Sequence, residues 1–412
     1  MKILLINKFY YLSGGAERYL LDWEKLLRAH GHTISVFSMR HPLNLPCAQE
    51  RFFADPVAFD LSQSASAKLK AAAHSVWSAQ AARQLEALLR AEGTPDVAHL
   101  HSFMFQLTPA ILEPLRRRGV PIVQTTHEYA HVCVNQHFYN HRVDRICEQC
   151  LRHGRLAPLW TRCIKGSFAA SAAGCAAGLA EAFFGRLRAR VSRFITPGEF
   201  MRRKLIEGGM PPERVFHVPN FVDYSSIAPS DAAGDYLLFF GRLVAHKGIG
   251  LFLDAARLAP ELPCKVVGGG PLEEQLRRRI SEEGIANVEL LGQREGEPLW
   301  EVVRGARAVV VPSQWFEPQG LVILEAMSAA RAVIACDLAG PAEMVEEGRT
   351  GLLVPLFAPE RLAEAMRRLW DDPERAREMG RAGRQRVEAV YDPELHYQRL
   401  MRHFEAAARE LS

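Results

Sequence analysis

Several short stretches of this 412-residue chain combine residue types able to hold an anionic, polar ligand. Gly241-Arg242-Leu243 follows an apolar run, and Lys247-Gly248 begins five residues past the arginine. A guanidinium fork and an ammonium point charge so placed suit a diphosphate; a solvated loop with two stray cations is the plainer reading. In the stretch from Val311 to Met327, a buried strand ends at Pro312, an irregular loop carries Glu317, and a helix opens near Gly320 and Leu321. The free N–H groups and positive dipole end of that helix favour the same kind of anion. Glu325 lies between Leu324 and Ala326 in an apolar helix, where a charge is costly unless paired. A ribose diol would pair with it, although both glutamates also fit as structural caps and salt bridges. The turn Gly268-Gly269-Gly270-Pro271 either admits a nucleotide or lets its helix pack tightly. Gly14-Gly15-Ala16-Glu17 opens a helix whose glycines allow close approach to a phosphate or sugar, or only form a tight turn. Thr126-His127-Glu128-Tyr129 places an imidazole at a strand end, suited to a sugar hydroxyl, though a lone histidine is more often structural.

These residues need rigid supports. Short apolar runs bounded by turn residues, with helical patterns between them, are what parallel strands and crossover helices produce. Lys2–Asn7, Thr33–Phe37, Asp96–Leu100 and Pro121–Thr125 form one series. From Phe194 the texture changes, through a helical stretch at Glu199–Gly208 and a strand-like Val215–Val218, to Pro219-Asn220-Phe221-Val222-Asp223 and a polar linker. The series restarts with Tyr236–Phe240, Cys264–Val267, Val288–Leu291, Ala308–Val311 and Ala332–Ala335. The expected architecture is α/β, two doubly wound domains facing across a cleft, with function in the loops beyond the strands' carboxyl ends. The expected divisions are an N-terminal domain at 1–220 with a Cys-rich insertion at 131–165, a linker at 221–234, and a second domain at 235–390. A last helix, 391–412, is expected to pack back on the first domain.

A composition 48% hydrophobic and 24% charged is that of a core-forming protein, not a disordered one. The net charge of +4 hides an asymmetry: residues 1–220 hold 28 Lys and Arg against 17 Asp and Glu, and the remainder 23 against 30. Arg116-Arg117-Arg118 and the run Arg186, Arg188, Arg190, Arg193 are solvated helix faces or a surface for anionic lipid. Aromatic residues do not interleave these clusters, which disfavours nucleic acid. The start of the chain reads as a first strand rather than a signal peptide, which points to a cytoplasmic protein. The Ala/Gly-rich Ser167–Gly185 reads as a helix packed inside a domain, not a membrane span. Cys133, Cys147, Cys150 and Cys163 are spaced like a structural zinc knot, with an iron–sulfur cluster or four separate thiols as alternatives.

In their order along nearly the whole chain, these motifs resemble the family-4 retaining glycosyltransferases of the GT-B fold. The glutamates Glu317 and Glu325, separated by seven residues, are the most specific part of the match. The resemblance implies that Arg242 and Lys247 neutralise a donor diphosphate, that Glu317 lies by the donor sugar, and that Glu325 binds the ribose. It implies that His127 lies near the sugar hydroxyls, with Gly14, Gly15, Gly270, Gly320 and Leu321 lining the donor. The implied reaction is front-face retaining transfer from a UDP- or GDP-sugar to a saccharide or lipid-linked acceptor in polysaccharide or glycoconjugate assembly; the basic N-terminal half suggests peripheral attachment at the inner face of an anionic membrane. No cofactor is then required for the chemical step, and the chain has no Asp-X-Asp triplet to hold a metal on a diphosphate. A nucleotide-sugar epimerase or a phosphorylase of the same fold is the nearest alternative.

Overall fold

The computed structural model describes residues 1–56, 77–104, 106–180 and 187–410. The chain divides into two compact units, one of residues 1–143, 147–218 and 396–412, the other of 144–146 and 219–395.

In the first unit, β1 (Lys2–Ile6), β2 (Thr33–Phe37), β3 (Val97–Leu100) and β4 (Ile122–Thr125) are the apolar runs expected. The two-residue strands β5 (Tyr139–Asn140) and β6 (Arg145–Ile146) interrupt the series before β7 (Arg193–Thr196) and β8 (Val215–His217). The sheet order is β2-β1-β3-β4-β7-β8, every pair parallel. The order reverses between β1 and β3, so the crevice of this sheet opens beyond Ile6 and Leu100. Residues from His396 onward pack here: Tyr397 stacks on His30 at 3.7 Å, and Phe404 meets Trp23 edge-on.

The second unit holds β9 (Leu237–Phe240), β10 (Cys264–Val267), β11 (Val288–Gly292), β12 (Ala308–Val311), β13 (Ala332–Cys336) and β14 (Gly351–Val354), ordered β11-β10-β9-β12-β13-β14. Both faces of this parallel sheet are covered. Leu237 and Phe239 face one core with the Ile249–Leu258 and Pro359–Asp371 helices, while Leu238 and Phe240 face the other with the Leu321–Ser328 helix. That alternation explains strands apolar at every position. The order reverses between β9 and β12, which pair only at Leu237–Ala308 and Leu238–Val309. Pairing stops before their carboxyl ends, so the crevice lies between Phe240 and Val311.

The stretch read as a closely packed helix is helical over Phe168–Ala180, but it is not enclosed: Phe168 and Leu179 are exposed. Its continuation to Gly185 lies outside the described residues. Among the described residues no helix is long and apolar enough to cross a membrane.

Candidate active site

The residues singled out in the second unit gather at its switch point. Gly241, in a left-handed region at φ 142°, turns the chain off β9, and Leu243 N–H donates to the Gly269 carbonyl at 3.0 Å. This seats the Arg242 loop on the glycine turn after β10. A Cβ on Gly268 would stand 1.9 Å from the Gly241 carbonyl oxygen, and one on Gly270 2.6 Å from that of Leu243. Gly270 therefore acts first by letting two backbones touch, the packing role left open from sequence. On the other side of the crevice, a Cβ on Gly248 would lie 1.8 Å from the Pro312 oxygen. The loops after β9 and β12 are thus in backbone contact.

That contact brings Lys247 to Glu317. The ammonium donates to Glu317 Oε1, and Ser313 Oγ donates to Oε2 at 2.5 Å, so both carboxylate oxygens are held. Glu317 is buried and Lys247 about one-quarter exposed. The loop is fixed further by Gly340 N–H on the Glu317 carbonyl at 3.0 Å. Gln319 exchanges hydrogen bonds with the Asn220 backbone, accepting from its N–H at 2.8 Å. Arg242, by contrast, is exposed and pairs with no carboxylate among the described residues. Gly320, at φ 100°, caps the helix Leu321–Ser328 in the left-handed conformation that favours glycine. The helix's first N–H groups are without an intrahelical acceptor. Glu325 is half-buried one turn beyond Leu321, on the same face. The unit thus assembles a free guanidinium, an ion pair and a helix N-terminus around one crevice, an arrangement able to bind a diphosphate.

In the first unit, Gly14 and Gly15 are exposed at the start of the Gly15–Ala29 helix, with Gly14 extended at φ −178°. Glu17 turns back into this loop, accepting from Asn7 Nδ2 at 3.2 Å and Ser13 Oγ at 3.1 Å. Asn7 in turn accepts from the Ser102 N–H at 3.0 Å, joining the carboxyl ends of β1 and β3. His127 follows β4, its Nε2 3.0 Å from His101 Nδ1, and Tyr19 packs edge-on against it at 5.3 Å. Burial pulls His127 down to about 4, with the positive charge of Lys8 adding to this and Glu128 opposing it. Since the ring is partly exposed, solvent moderates that pull. His127 is therefore a neutral imidazole at neutral pH. Burial raises the Glu128 carboxyl, but Lys8, 3.7 Å away, and His137 outweigh it and hold it below its usual range. His99 has an assignable tautomer: Trp23 Nε1, which can only donate, lies 3.1 Å from its Nδ1, so its Nε2 carries the proton toward Thr125 Oγ1 at 2.8 Å.

His101, Asn7, Lys8 and Ser313 were not among the residues expected. A signal existed for the first: His99-Leu100-His101 ends an apolar run at the same sheet edge as His127. The cysteines expected to hold zinc are neighbours: Cys133 is hydrogen-bonded to Cys150, and Cys163 is raised to about 11 by burial and, beyond that, by Cys150 and Cys147. Cys133 Sγ lies 3.0 Å from Asn135 Oδ1, and its hydrogen bond to Cys150 pulls the Cys150 thiol to about 7. Yet among the described residues no three His, Cys, Asp or Glu side chains converge closely enough to hold a metal ion. The basic runs are also largely engaged: Arg116 and Arg117 pair with Glu113, as does Arg190, Arg118 pairs with Glu86, and Arg193 with Glu410. Arg186 and the Arg188 side chain lie outside the described residues.

Two doubly wound parallel-sheet units in one chain are the GT-B class of fold. Sucrose-phosphate synthase from Thermosynechococcus elongatus superposes with a TM-score of 0.70 at 19% identity, over 99% of this chain and 100% of that one. HepE from Anabaena, solved in complex with UDP, does so at 0.66 and 17%, over 98% and 100%. Residues 13–226 match the Glycosyltransferase Family 4 model and residues 225–386 the model for glycosyl transferases group 1. The chain belongs to glycosyltransferase family 4. Alpha-maltose-1-phosphate synthase of Mycolicibacterium smegmatis is 35% identical over 209 residues, 43% of this chain and 53% of that protein. O-antigen chain mannosyltransferase C of Escherichia coli is 32% identical over 164 residues, 39% and 44% respectively. The chain spans about half the length of the curated relatives it matches.

Proposed function

We propose that the protein is a hexosyltransferase that moves a sugar, with retention, from a nucleoside diphosphate donor to a saccharide or lipid-linked acceptor. The observation that carries this is the switch point of the second unit, where Arg242, the Lys247–Glu317 pair and the helix N-terminus at Gly320 surround one crevice. Negative charge that grows on the departing diphosphate would meet an unpaired guanidinium and free N–H groups already in place. Glu317, locked by Lys247 and Ser313, would hold its carboxylate beside the donor sugar, and Glu325 would take the ribose. In front-face transfer the leaving phosphate accepts the acceptor's proton, so alignment and charge stabilisation suffice and no protein nucleophile is needed. His127, a neutral imidazole, can orient a sugar hydroxyl without adding charge.

A uridine diphosphate donor has support in the fold-mate HepE, which has been solved with UDP and with UDP and glucose; a guanosine donor remains the alternative arm of the test. The acceptor is proposed to be presented at the cytoplasmic face of an anionic membrane. Thermal-shift titration with UDP, GDP, ADP and TDP should single out one base, since ligand at 100 times its dissociation constant adds about 2.7 kcal/mol. Mass spectrometry of the matching sugar nucleotide with an acceptor glycan should show glycosylated product with an anomeric configuration like the donor's. Donor isomer without transfer product would instead establish an epimerase.

A further inference from the structure

The Cys-rich insertion and the Phe168–Ala180 helix that follows it carry a surface that the transfer chemistry does not use. The Phe168–Ala180 helix has no charged side chain, and its exposed positions Phe168, Ala169, Ala173, Ala176 and Leu179 recur at helical spacing, so one apolar face meets solvent along its length. Beside it packs the short Pro158–Thr161 helix, whose Trp160 is 54% exposed, close to the 55% of Phe168. The segments on either side of that short helix are tied to the longer one: the Ile164 N–H donates to Ser171 Oγ at 3.4 Å, and the Arg155 guanidinium donates to the Gly178 carbonyl at 3.1 Å. Leu156, next to that arginine, is exposed as well. A soluble face would not leave two large aromatic rings and two leucines uncovered within one segment of this size.

Exposed cations stand beside this face and are uncommitted. Arg142, whose Cβ lies 3.9 Å from the position a Cβ on Gly166 would take, Arg162 and Lys165 are exposed and pair with no carboxylate among the described residues. Glu148, the insertion's own glutamate, is occupied by Lys204 at 2.5 Å. This contrasts with the arginine runs 116–118 and 190–193, whose guanidinium groups already hold glutamates. Free cations rimming exposed Trp and Phe are the chemistry of a bilayer interface, where the rings enter the headgroup layer and the cations meet lipid phosphates.

We propose that this face, built on Trp160 of the insertion and Phe168 and Leu179 of the helix after it, with Arg142, Arg162 and Lys165 at its rim, seats the protein on an anionic lipid bilayer. The proposal deepens the membrane-borne acceptor reading and relocates the contact from the long arginine runs to the insertion. Co-sedimentation with vesicles of equal parts phosphatidylglycerol and phosphatidylcholine tests it on the full chain. Trp160→Ser with Phe168→Ser should lower partitioning at least tenfold. Arg162→Gln and Lys165→Gln should each lower it about fivefold at low salt and much less at high salt. Leu43→Ser, at an exposed leucine of the same unit outside the face, should change nothing. Trp160→Phe should keep binding while removing the quenching of tryptophan fluorescence by brominated lipid. Nucleotide-induced thermal shifts must be intact in every variant, which separates failure of this surface from failure of the donor site. Unchanged vesicle binding in the double variant overturns the proposal. So does a concentration-dependent dimer that the same substitutions dissolve while vesicles bind nothing, because a second copy would then cover the face.

Discussion

His101 Nδ1 lies 3.0 Å from His127 Nε2, the ring planes within 13° of each other, so the two imidazoles meet edge to edge in one line. One nitrogen of that contact must carry the proton and the other accept it. His101 Nε2, at the far end, is buried without a hydrogen bond among the described residues. The consequence is that His101 fixes how the His127 ring points, and with it the nitrogen offered to a ligand. Replacing His101 by Ala removes one buried hydrogen bond, an effect of about 1–3 kcal/mol. The expected outcome is a fall in kcat of roughly five- to 150-fold with donor affinity nearly unchanged, while His101→Asn recovers part of the loss. Equal loss in donor binding would mean that the pair serves only the fold.

Arg242 and Lys247, the proposed phosphate partners, are chemically alike but structurally unlike. Either one changed to Ala should weaken nucleoside diphosphate binding by about 1.5–3 kcal/mol while sparing the nucleoside. Their effects on stability should diverge. Arg242 is exposed and unpaired, so Arg242→Ala should leave the melting temperature alone. Lys247→Ala strands the buried Glu317 carboxylate, so it should also lower stability, and Glu317→Gln in the same chain should restore much of it. Calorimetry on the three variants, with and without nucleotide, measures both effects.

The two glutamates should separate in kinetics. Glu317 is rigidly held by Lys247 and Ser313, and Glu317→Gln should act mainly on kcat, because its interactions matter most as charge develops at the sugar. Glu325→Ala, on the helix face beyond Leu321, should chiefly raise the donor KM. Wild-type values in both parameters for both variants would remove these assignments.

The strands of both sheets were legible wherever the sequence is apolar at every position, as in Leu237–Phe240 and Ala308–Val311, because burial on both faces leaves that mark. Arg193–Thr196 was hidden inside an arginine run, since Arg193 caps the strand with a charge held by Glu410. Gly351–Val354 is an edge strand that opens on a glycine directly after a turn, which hides its start. The grouping of Arg242, Lys247 and Glu317 was legible because strand ends are sharp in sequence. The Ser313 and His101 contacts were not, since they depend on which strands become neighbours, and that order is set by long-range packing.

Three loop glycines provide a graded test of the crevice. Gly248→Ala and Gly268→Ala combine a left-handed backbone with a Cβ under 2.0 Å from a carbonyl oxygen, so the β9 loop must shift away from its neighbours. Both should lose several kcal/mol of stability and most nucleotide binding. Gly284→Ala, at φ 64° with nothing within 4 Å, carries only the backbone term of about 1–2 kcal/mol and should bind nucleotide normally. Chemical denaturation and nucleotide titration of the three variants rank them directly.

The buried imidazoles of the first unit set its response to acid. Burial holds His99 and His101 well below the ordinary histidine value, and pulls His127 and His403 down to about 4, with nearby cations adding to the effect at His403. Above about pH 6.5 these rings are neutral in both folded and unfolded chains, and they contribute no pH dependence. As pH falls through 6.5 the unfolded chain takes up protons that the folded unit refuses, so stability declines. For His127 and His403 the decline ends near pH 4, where the folded rings also charge; His99 and His101, held down by burial, add to it. Carboxylates move the same way only further into acid, Glu113 being held at about 2 by Arg116. His403 packs on Phe216 at 4.7 Å, away from the His101–His127 contact, and isolates the effect. His403→Gln should flatten the slope of melting temperature against pH between about 6.5 and 4, by up to about 1.4 kcal/mol for each pKa unit removed and less for its partial exposure. A slope unchanged in that window would show that His403 titrates as an ordinary histidine.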